Sequence, residues 1–461
     1  MKSSPLTVAR RALHRAARAT FARLPRRARF AICRQLVHCD PDPGAGLVVK
    51  IAETREELEA CFALLHDAYV ASGFMQPDPS GLRVTPWHAL PTTTTICATV
   101  NGEVVGTLSM VRDGVFGLPL QSAFDLNAVR AEPGQLAEIS ALAIRPDYRR
   151  TGGTILFPLM KFMYEYCTRY FDTRHLLIAV NPNKIELYEA LLFFRRLTAQ
   201  TVEHYDFANG AAAVGGVLDL MAAPGLFEQA YRGRPARRDL HRYFTRTRLA
   251  QIQLPPRPYF TTNDPVMTPA LLDHFFNHRT NGFARLTMRQ RVLLHAIYDR
   301  DDYRAVLPPL GVDERDIALV RRHRRHSIKC PGWIVIDGPG EARRPLNLVD
   351  ASQGGCRVET GAQGLPLPAE GRLTVFLGRG VRTELRVRVV RRAGDAAWGL
   401  MVLEADATWL EAVRALERGA TYRDLRVEGS PSAATSGEGG AGGARAGAAP
   451  AWPAAATAAT S

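Results

Sequence analysis

Two kinds of hydrophobic periodicity divide this chain, and no single core satisfies both. From residue 47 to 222, strand-like runs alternate with helix-like runs. From 321 to 405 only short strand-like runs occur, with Gly, Asp and Pro between them. The first pattern predicts an α/β (α+β) sandwich around one mixed sheet. The second predicts a small all-β barrel. In the first part, 47–52, 136–144, 175–180 and 215–221 read as strands, and 54–70, 154–171 and 184–192 as helices. Thr54, with carboxylates in the following turn, opens the first helix. The runs 95–100 and 104–111 flank Asn101-Gly102, the signature of a hairpin with a type I′ turn. In the second part, strands are expected at 328–336, 346–349, 356–359, 373–377, 382–390 and 398–403, with a capping helix at 408–417. Within 382–390, Leu385, Val387 and Val389 alternate with Arg386 and Arg388, giving one apolar and one charged face.

At 461 residues the chain exceeds one compact core, since domains commonly run ~100–200 residues. The expected organisation has five parts. A basic amphipathic segment spans 1–46, and the α/β domain 47–222. An Arg-rich helical extension or linker spans 223–320, with helices at 269–276 and 287–297. The barrel spans 321–420, and a disordered tail rich in Gly, Ala, Ser, Pro and Thr spans 421–461.

The net charge of +14 is unevenly placed. Ten Lys and Arg and no acid lie in residues 1–39, which leaves +4 for the rest. The basic balance is therefore largely a property of the N-terminal segment, and no nucleic-acid partner is expected. Leu13, Ala17, Phe21 and Leu24 fall on one helical face there, opposite Arg11, Arg15 and Arg18, and Pro25 interrupts the helix. Such a segment contacts an anionic membrane surface, attracts an acidic protein, or is a solvated tail. No apolar stretch reaches the ~18 residues of a membrane span. Lys161 and Glu165 break the longest candidate, 155–166. Seven scattered cysteines with no C-x-x-C pair argue against a disulfide framework and a structural zinc site. The expected location is a reducing cytoplasm, peripheral to the inner membrane face. His66, His88 and His175 show no metal-ligand spacing, so no metal is expected.

The stretch Glu138-Ile139-Ser140-Ala141-Leu142-Ala143-Ile144, followed by Arg149-Arg150-Thr151-Gly152-Gly153-Thr154, carries the upstream chemistry. A strand ends, a basic Gly-containing loop follows, and a helix starts. Backbone N–H groups at a helix N-terminus bind phosphate. This loop, R-x-x-G-x-T, resembles the pantetheine-binding signature of the GNAT N-acetyltransferase superfamily, with Thr154 where Gly or Ala is usual. The wider context is similar to the long-chain N-acyl amino acid synthases (FeeM-like), kin of the acyl-homoserine lactone synthases. It rests on Gly106-Thr107-Leu108-Ser109, Ala137-Glu138-Ile139-Ser140, Tyr148-Arg149-Arg150, and Ala179-Val180-Asn181-Pro182 followed by Tyr188. Lactone synthases carry an Arg where Ala141 stands. The resemblance implies acyl transfer from acyl carrier protein or acyl-CoA to the amine of an amino acid, with no permanently bound cofactor. It makes Glu138 the candidate base, directly or through a water. It makes Tyr188 either the acid for the leaving thiolate or a core tyrosine. The donor arm falls to the Ala143 backbone, Arg149, Arg150, Gly152 and Gly153. Asn181 either bonds that arm or caps the next turn. Phe74, Trp87 and Thr92-Thr93-Thr94-Thr95 are candidates for the acyl or amine pocket.

Ahead of the barrel strands stand Arg321-Arg322-His323-Arg324-Arg325, and 25 residues further on Asp350-Ala351-Ser352-Gln353-Gly354-Gly355. Guanidinium forks hold phosphate oxygens and the acceptor edge of guanine in bidentate fashion. A carboxylate and a hydroxyl complete such a site, and glycine lets the backbone approach a flat base. The R-x-x-x-R and D-x-S-x-x-G pair resembles the signature of PilZ domains. It implies binding of cyclic di-GMP by Arg321, Arg322, Arg325, Asp350, Ser352 and Gly355, as an effector of whatever lies upstream. The rival readings are a non-catalytic cyclic di-GMP adaptor with a transferase-like binding domain, and an acyl-homoserine lactone synthase.

Overall fold

The computed structural model describes residues 21, 23–114, 116–132, 134–149, 151–171, 173–255, 266–298, 301–310, 326–338, 342–361, 364–378, 380–393 and 397–417. Leu13, Ala17, Arg150, Arg321, Arg322, Arg325 and the tail beyond 417 lie outside these residues.

The N-terminal half is one mixed sheet. Its strands are β1 (Leu47–Ile51), β2 (Thr93–Val100), β3 (Glu103–Arg112), β4 (Gln135–Ile144), β5 (Thr173–Val180), β6 (Arg195–Arg196), β7 (Val202–Tyr205) and β8 (Ala211–Asp219). They lie in the order β1-β2-β3-β4-β5-β8-β6, with β7 also on β8. Only the β4–β5 pair is parallel; the others are antiparallel. The β2–β3 turn has positive φ at both Asn101 (52°) and Gly102 (87°), as a type I′ turn requires. The start of β8 escapes the periodic reading, because Ala211, Ala212 and Ala213 carry no β-branched signal. β6 and β7 are too short to register.

Helices α1 (Arg26–Leu36), α2 (Arg55–Ala71), α3 (Asn127–Ala131), α4 (Leu156–Tyr170) and α5 (Pro182–Leu192) flank this sheet. A capping box fixes the start of α2: Thr54 accepts from the Glu57 N–H, and Glu57 accepts from the Thr54 N–H. Ile96 and Ala98 of β2 point into an apolar cluster with α4, whereas Cys97 between them joins a cluster with Leu58, Phe62 and Leu65 of α2. Neighbouring strand residues face opposite ways, so α2 and α4 cover opposite faces.

The N-terminal segment and the extension are both tied to this domain. Pro25 stands at the N-cap of α1, and the helix begins after it. Arg26 pairs with Glu189 at 2.7 Å, Arg29 with Glu186, and Arg34 Nε donates to the Ala190 carbonyl at 2.7 Å. These three basic residues are engaged with α5. The described residues between 223 and 310 pack on both faces of the sheet. Leu240, Tyr243 and Phe244 join the α4 cluster, and Leu272, Phe275, Phe276, Leu294 and Tyr298 join the α2 cluster. Backbone bonds from Val49 N–H to Gln251 and from Gln253 N–H to Val49 cover the outer edge of β1. Among the described residues no helix is long and apolar enough to cross a membrane.

The C-terminal part is a closed six-stranded barrel. Strands β9 (His326–Ile336), β10 (Arg344–Ser352), β11 (Gly355–Thr360), β12 (Ala369–Gly378), β13 (Val381–Arg392) and β14 (Ala397–Ala405) run in the order β10-β11-β14-β13-β12-β9, and β9 closes on β10. Leu385, Val387 and Val389 are fully or nearly fully buried, while Arg386 and Arg388 pair outside with Asp337 and Glu370. The helix Ala407–Glu417 adds Trp409, Ala412 and Val413 to the barrel core. Closure brings β9 and β12 close enough that a Cβ at Gly332 would collide with the Thr374 carbonyl oxygen, and one at Gly371 with that of Val335. Gly332→Ala is expected to destabilise the barrel by about 1–3 kcal/mol, the usual range for overpacking. Urea unfolding followed by tryptophan fluorescence checks this; an unchanged midpoint contradicts the close approach.

Candidate active site

β4 and β5 pair only at their first residues. Gln135, Leu136, Ala137 and Glu138 face Thr173, His175, Leu176 and Leu177, and the strands then part. On its other edge β4 stays with β3 but carries one extra residue: Thr107 pairs with Ala143 and Ser109 with Ser140. That bulge puts Ala141 at φ 55°, a left-handed conformation unusual for a side chain with a Cβ. From Ile139 to Ile144 the β5-facing edge of β4 is therefore free of strand partners. A cavity of about 380 Å³ fills the gap. At ~3.3 Å per residue, the six steps from Glu138 to Ile144 give it a reach of roughly 20 Å.

Glu138 is the last residue of β4 before the strands part. It is 1% exposed, and Oε2 accepts one hydrogen bond from the Leu120 N–H at 2.8 Å. The turn Pro119–Ser122 holds that amide, anchored by buried Leu118 and Leu120. Burial in this apolar setting pushes the carboxyl up to about 8, against the smaller opposing effect of the Leu120 bond. Tyr188, from α5, lines the same cavity; burial disfavours its phenolate and so pushes its pKa up, and its ring meets Phe194 edge-on at 5.9 Å. Asn181 caps α5 by accepting from the Asn183 N–H at 2.9 Å and also lines the cavity. The two readings of Asn181 are thus geometrically compatible.

At the mouth, Ala143 and Arg149 line the cavity, and Arg149 Nε donates to the Ile144 carbonyl at 2.7 Å. Gly152 (φ 68°) and Gly153 (φ 84°) form the loop before α4, and Gly153 accepts from the Phe157 N–H at 3.0 Å. Neither glycine is in the cavity wall. Apolar side chains form much of the interior, including Met160, Met163, Phe227 and Phe244, the last two from the extension.

The pocket candidates separate. Phe74 lines the large cavity. Trp87 does not: its Nε1 donates to the Gly117 carbonyl at 2.9 Å, and its ring borders a second cavity of about 190 Å³. None of Thr92–Thr95 reaches the large cavity, because β2 lies two strands from the gap; Thr94 accepts from Arg112 at 2.8 Å instead. Three residues escaped the sequence reading: Tyr69 and Tyr205, which line the large cavity, and Arg83, stacked on the Tyr69 ring. They come from α2, the loop after it and β7, and no spacing links them.

In the barrel, D-x-S-x-x-G forms the β10–β11 hairpin. Asp350 follows a bulge in β10 and pairs with Arg357 at 3.3 Å. Ser352 donates to the Gly355 carbonyl at 2.8 Å, closing the turn. Arg321, Arg322 and Arg325, like Arg150 upstream, lie outside the described residues.

The described residues thus form a mixed-sheet domain split beside a buried acid and, after it, a small closed β-barrel. Residues 60–219 match the family model of the N-acyl amino acid synthase FeeM, and residues 319–416 match that of the PilZ domain. The chain therefore joins an N-acyltransferase domain of the N-acyl amino acid synthase type to a C-terminal PilZ domain. Among solved structures, it is similar to FeeM, an N-acyl amino acid synthase from uncultured soil microbes, at 25% identity over 39% of this chain and 93% of that one, with a TM-score of 0.33. It is also similar to the CoA-dependent acyl-homoserine lactone synthase BjaI, at 19% identity over 42% of this chain and 92% of that one, with a TM-score of 0.31. No curated protein matches the sequence.

Ala141→Gly relieves the left-handed strain and is expected to stabilise the protein by about 1 kcal/mol. Thermal unfolding checks it; a lower midpoint contradicts the bulge geometry.

Proposed function

We propose that this chain moves a long-chain acyl group from the thioester of acyl carrier protein or coenzyme A to the amine of an amino acid, under control of cyclic di-GMP. The observation that carries the reading is Glu138: a carboxyl pushed up to about 8, in the wall of a largely apolar cavity at the point where the sheet splits. Binding pockets commonly hold ~300–1,000 Å³ with few polar groups. This one pairs an apolar interior with a proton acceptor at its closed end. The donor's pantetheine arm enters between β4 and β5, along the free edge of β4 near Ala143. Arg149, Arg150 and the Gly152-Gly153 loop hold its phosphate, and Asn181 bonds the arm. The amine attacks the thioester carbonyl, and its proton passes to ionised Glu138, directly or through a water. The C–N bond forms, the tetrahedral intermediate collapses, and the C–S bond breaks. Tyr188 then protonates the departing thiolate.

Cyclic di-GMP occupies the barrel entrance, with Arg321, Arg322 and Arg325 on its phosphates and guanine and with Asp350, Ser352 and Gly355 on the base. Its binding changes access to the thioester site through residues 223–320. The basic N-terminal segment and Arg232–Arg248 attract the acidic carrier protein or hold the enzyme against the cytoplasmic membrane face.

Glu138→Gln is expected to lower kcat by about 10²–10⁴-fold with folding retained. Product mass spectrometry with acyl carrier protein or acyl-CoA donors and mixed amino acids checks this, and full turnover in the variant removes Glu138 as base. For the barrel, calorimetry is expected to show cyclic di-GMP binding that weakens at least about 10-fold in Asp350→Ala. A transfer rate unchanged at saturating cyclic di-GMP contradicts the control.

A further inference from the structure

The wall of the large cavity is sorted by charge. Among the described residues its charged side chains are Glu138, Arg149 and Lys184, from β4, the loop after it and α5. None comes from α4 or from the segment after β8. On that side the wall is built mainly of Met160, Met163, Leu218, Leu220, Phe227 and Phe244. The two phenylalanines lie beyond the matched transferase region 60–219. Phe227 is on the helix Ala223–Tyr231 and Phe244 on the helix Leu240–Thr245. Their rings meet edge-on with centres 5.7 Å apart and are 6% and 8% exposed.

Both rings are held in place by their neighbours. Phe193 and Tyr231 pack on Phe227 at 5.3 and 5.9 Å, and Tyr164 and Tyr243 pack on Phe244 at 5.8 and 5.5 Å. The backbone of Phe244 is fixed as well, by a charge that the transfer reaction does not use. Lys161 of α4 is 1% exposed, pairs with Glu165 at 2.8 Å and donates from Nζ to the Phe244 carbonyl at 3.2 Å. A buried ammonium is costly unless it is paired and hydrogen-bonded, so moving Phe244 away from α4 is penalised. The methionines beside it are different. Their unbranched side chains adapt to a ligand's shape, which two packed rings do not.

We infer that Phe227 and Phe244 are the end stop of the acyl-chain channel and set the longest chain that the transferase accepts. The inference rests on the proposed acyl transfer. The donor arm follows the free edge of β4 and brings its thioester to Glu138, so the hydrocarbon beyond the thioester continues into the cavity. The α2 side of the cavity presents the hydroxyls of Tyr69 and Ser72, whereas the α4 side presents Met160, Met163, Leu218 and Leu220. Burial of apolar surface directs the hydrocarbon to the second. Its last carbons then meet the two rings. Chain length is thereby selected by the extension, outside the region that carries Glu138.

The test follows transfer from even-numbered acyl-CoA and acyl carrier protein donors, octanoyl to stearoyl, to mixed amino acids. It uses the full chain and its Phe227→Leu, Phe244→Leu and Phe244→Trp variants. The parent is expected to lose at least about 10-fold in kcat/KM at the first donor longer than its limit, the level at which a pocket of fixed size rejects extra methylenes. Each leucine variant moves that drop to a longer donor. Phe244→Trp, which keeps the core filled, moves it to a shorter one. A parent indifferent to chain length overturns the stop. So does a drop that stays in place in the variants, or a loss that is uniform over all donors. A parent that transfers no acyl group from any donor overturns the proposed function instead. The stop is then decided by calorimetry with the same acyl-CoA series. Affinity that rises about 4-fold per methylene up to a limit, with the limit moved outward in Phe244→Leu, supports it. Affinity without a limit, a limit that does not move, or no binding overturns it.

Discussion

The parting of β4 from β5 after four paired residues is the constraint on which the site depends. A parallel pair that continued to Ile144 would close the sheet and leave no cavity. Because it stops at Glu138, the same strand supplies a buried acid where the sheet is still closed and a free backbone edge where it is open. The bulge at Ala141 keeps β4 bonded to β3 while it turns away from β5. Scaffold rigidity and an open cavity are thereby obtained from one irregular strand.

Burial then sets the chemistry. One amide, from Leu120, bonds the Glu138 carboxylate, and apolar surroundings raise the carboxyl into the range where it exchanges protons near neutrality. Residues beyond the matched 60–219 region sustain that setting. Phe227 and Phe244 close the cavity on the α4 side, while Phe275 and Phe276 pack on α2, the helix that supplies Tyr69. The Arg-rich extension is thus part of the transferase core, and the basic helix Arg26–Leu36 is anchored on α5 through Glu186 and Glu189.

Much of the architecture was legible because regular elements impose a period. The barrel strands follow the alternation seen in Leu385–Val389, and α2 follows its capping box at Thr54 and Glu57. Glu138 was legible through its neighbours, Ile139-Ser140 and the Arg149–Gly153 loop. The residues that escaped are irregular or distant. Ala141 looks like any strand alanine, and only its φ marks the bulge. Tyr69, Arg83 and Tyr205 are far apart in sequence and meet only through folding. Trp87 and the Thr92–Thr95 run misled because composition does not reveal which face, or which strand, borders the gap.

The most direct measurement is the ratio of acyl-transfer rates for the parent and Glu138→Gln as a function of pH, which divides out the acceptor amine's own titration. A carboxyl raised to about 8 must lose its proton before it can act as a base. The ratio should therefore climb with pH, pass its midpoint near 8 and level off above it. A ratio that is flat from about pH 6 to 9, or that has its midpoint near the ordinary carboxyl value of ~4.3, would contradict the assignment of Glu138 as the buried base of this site.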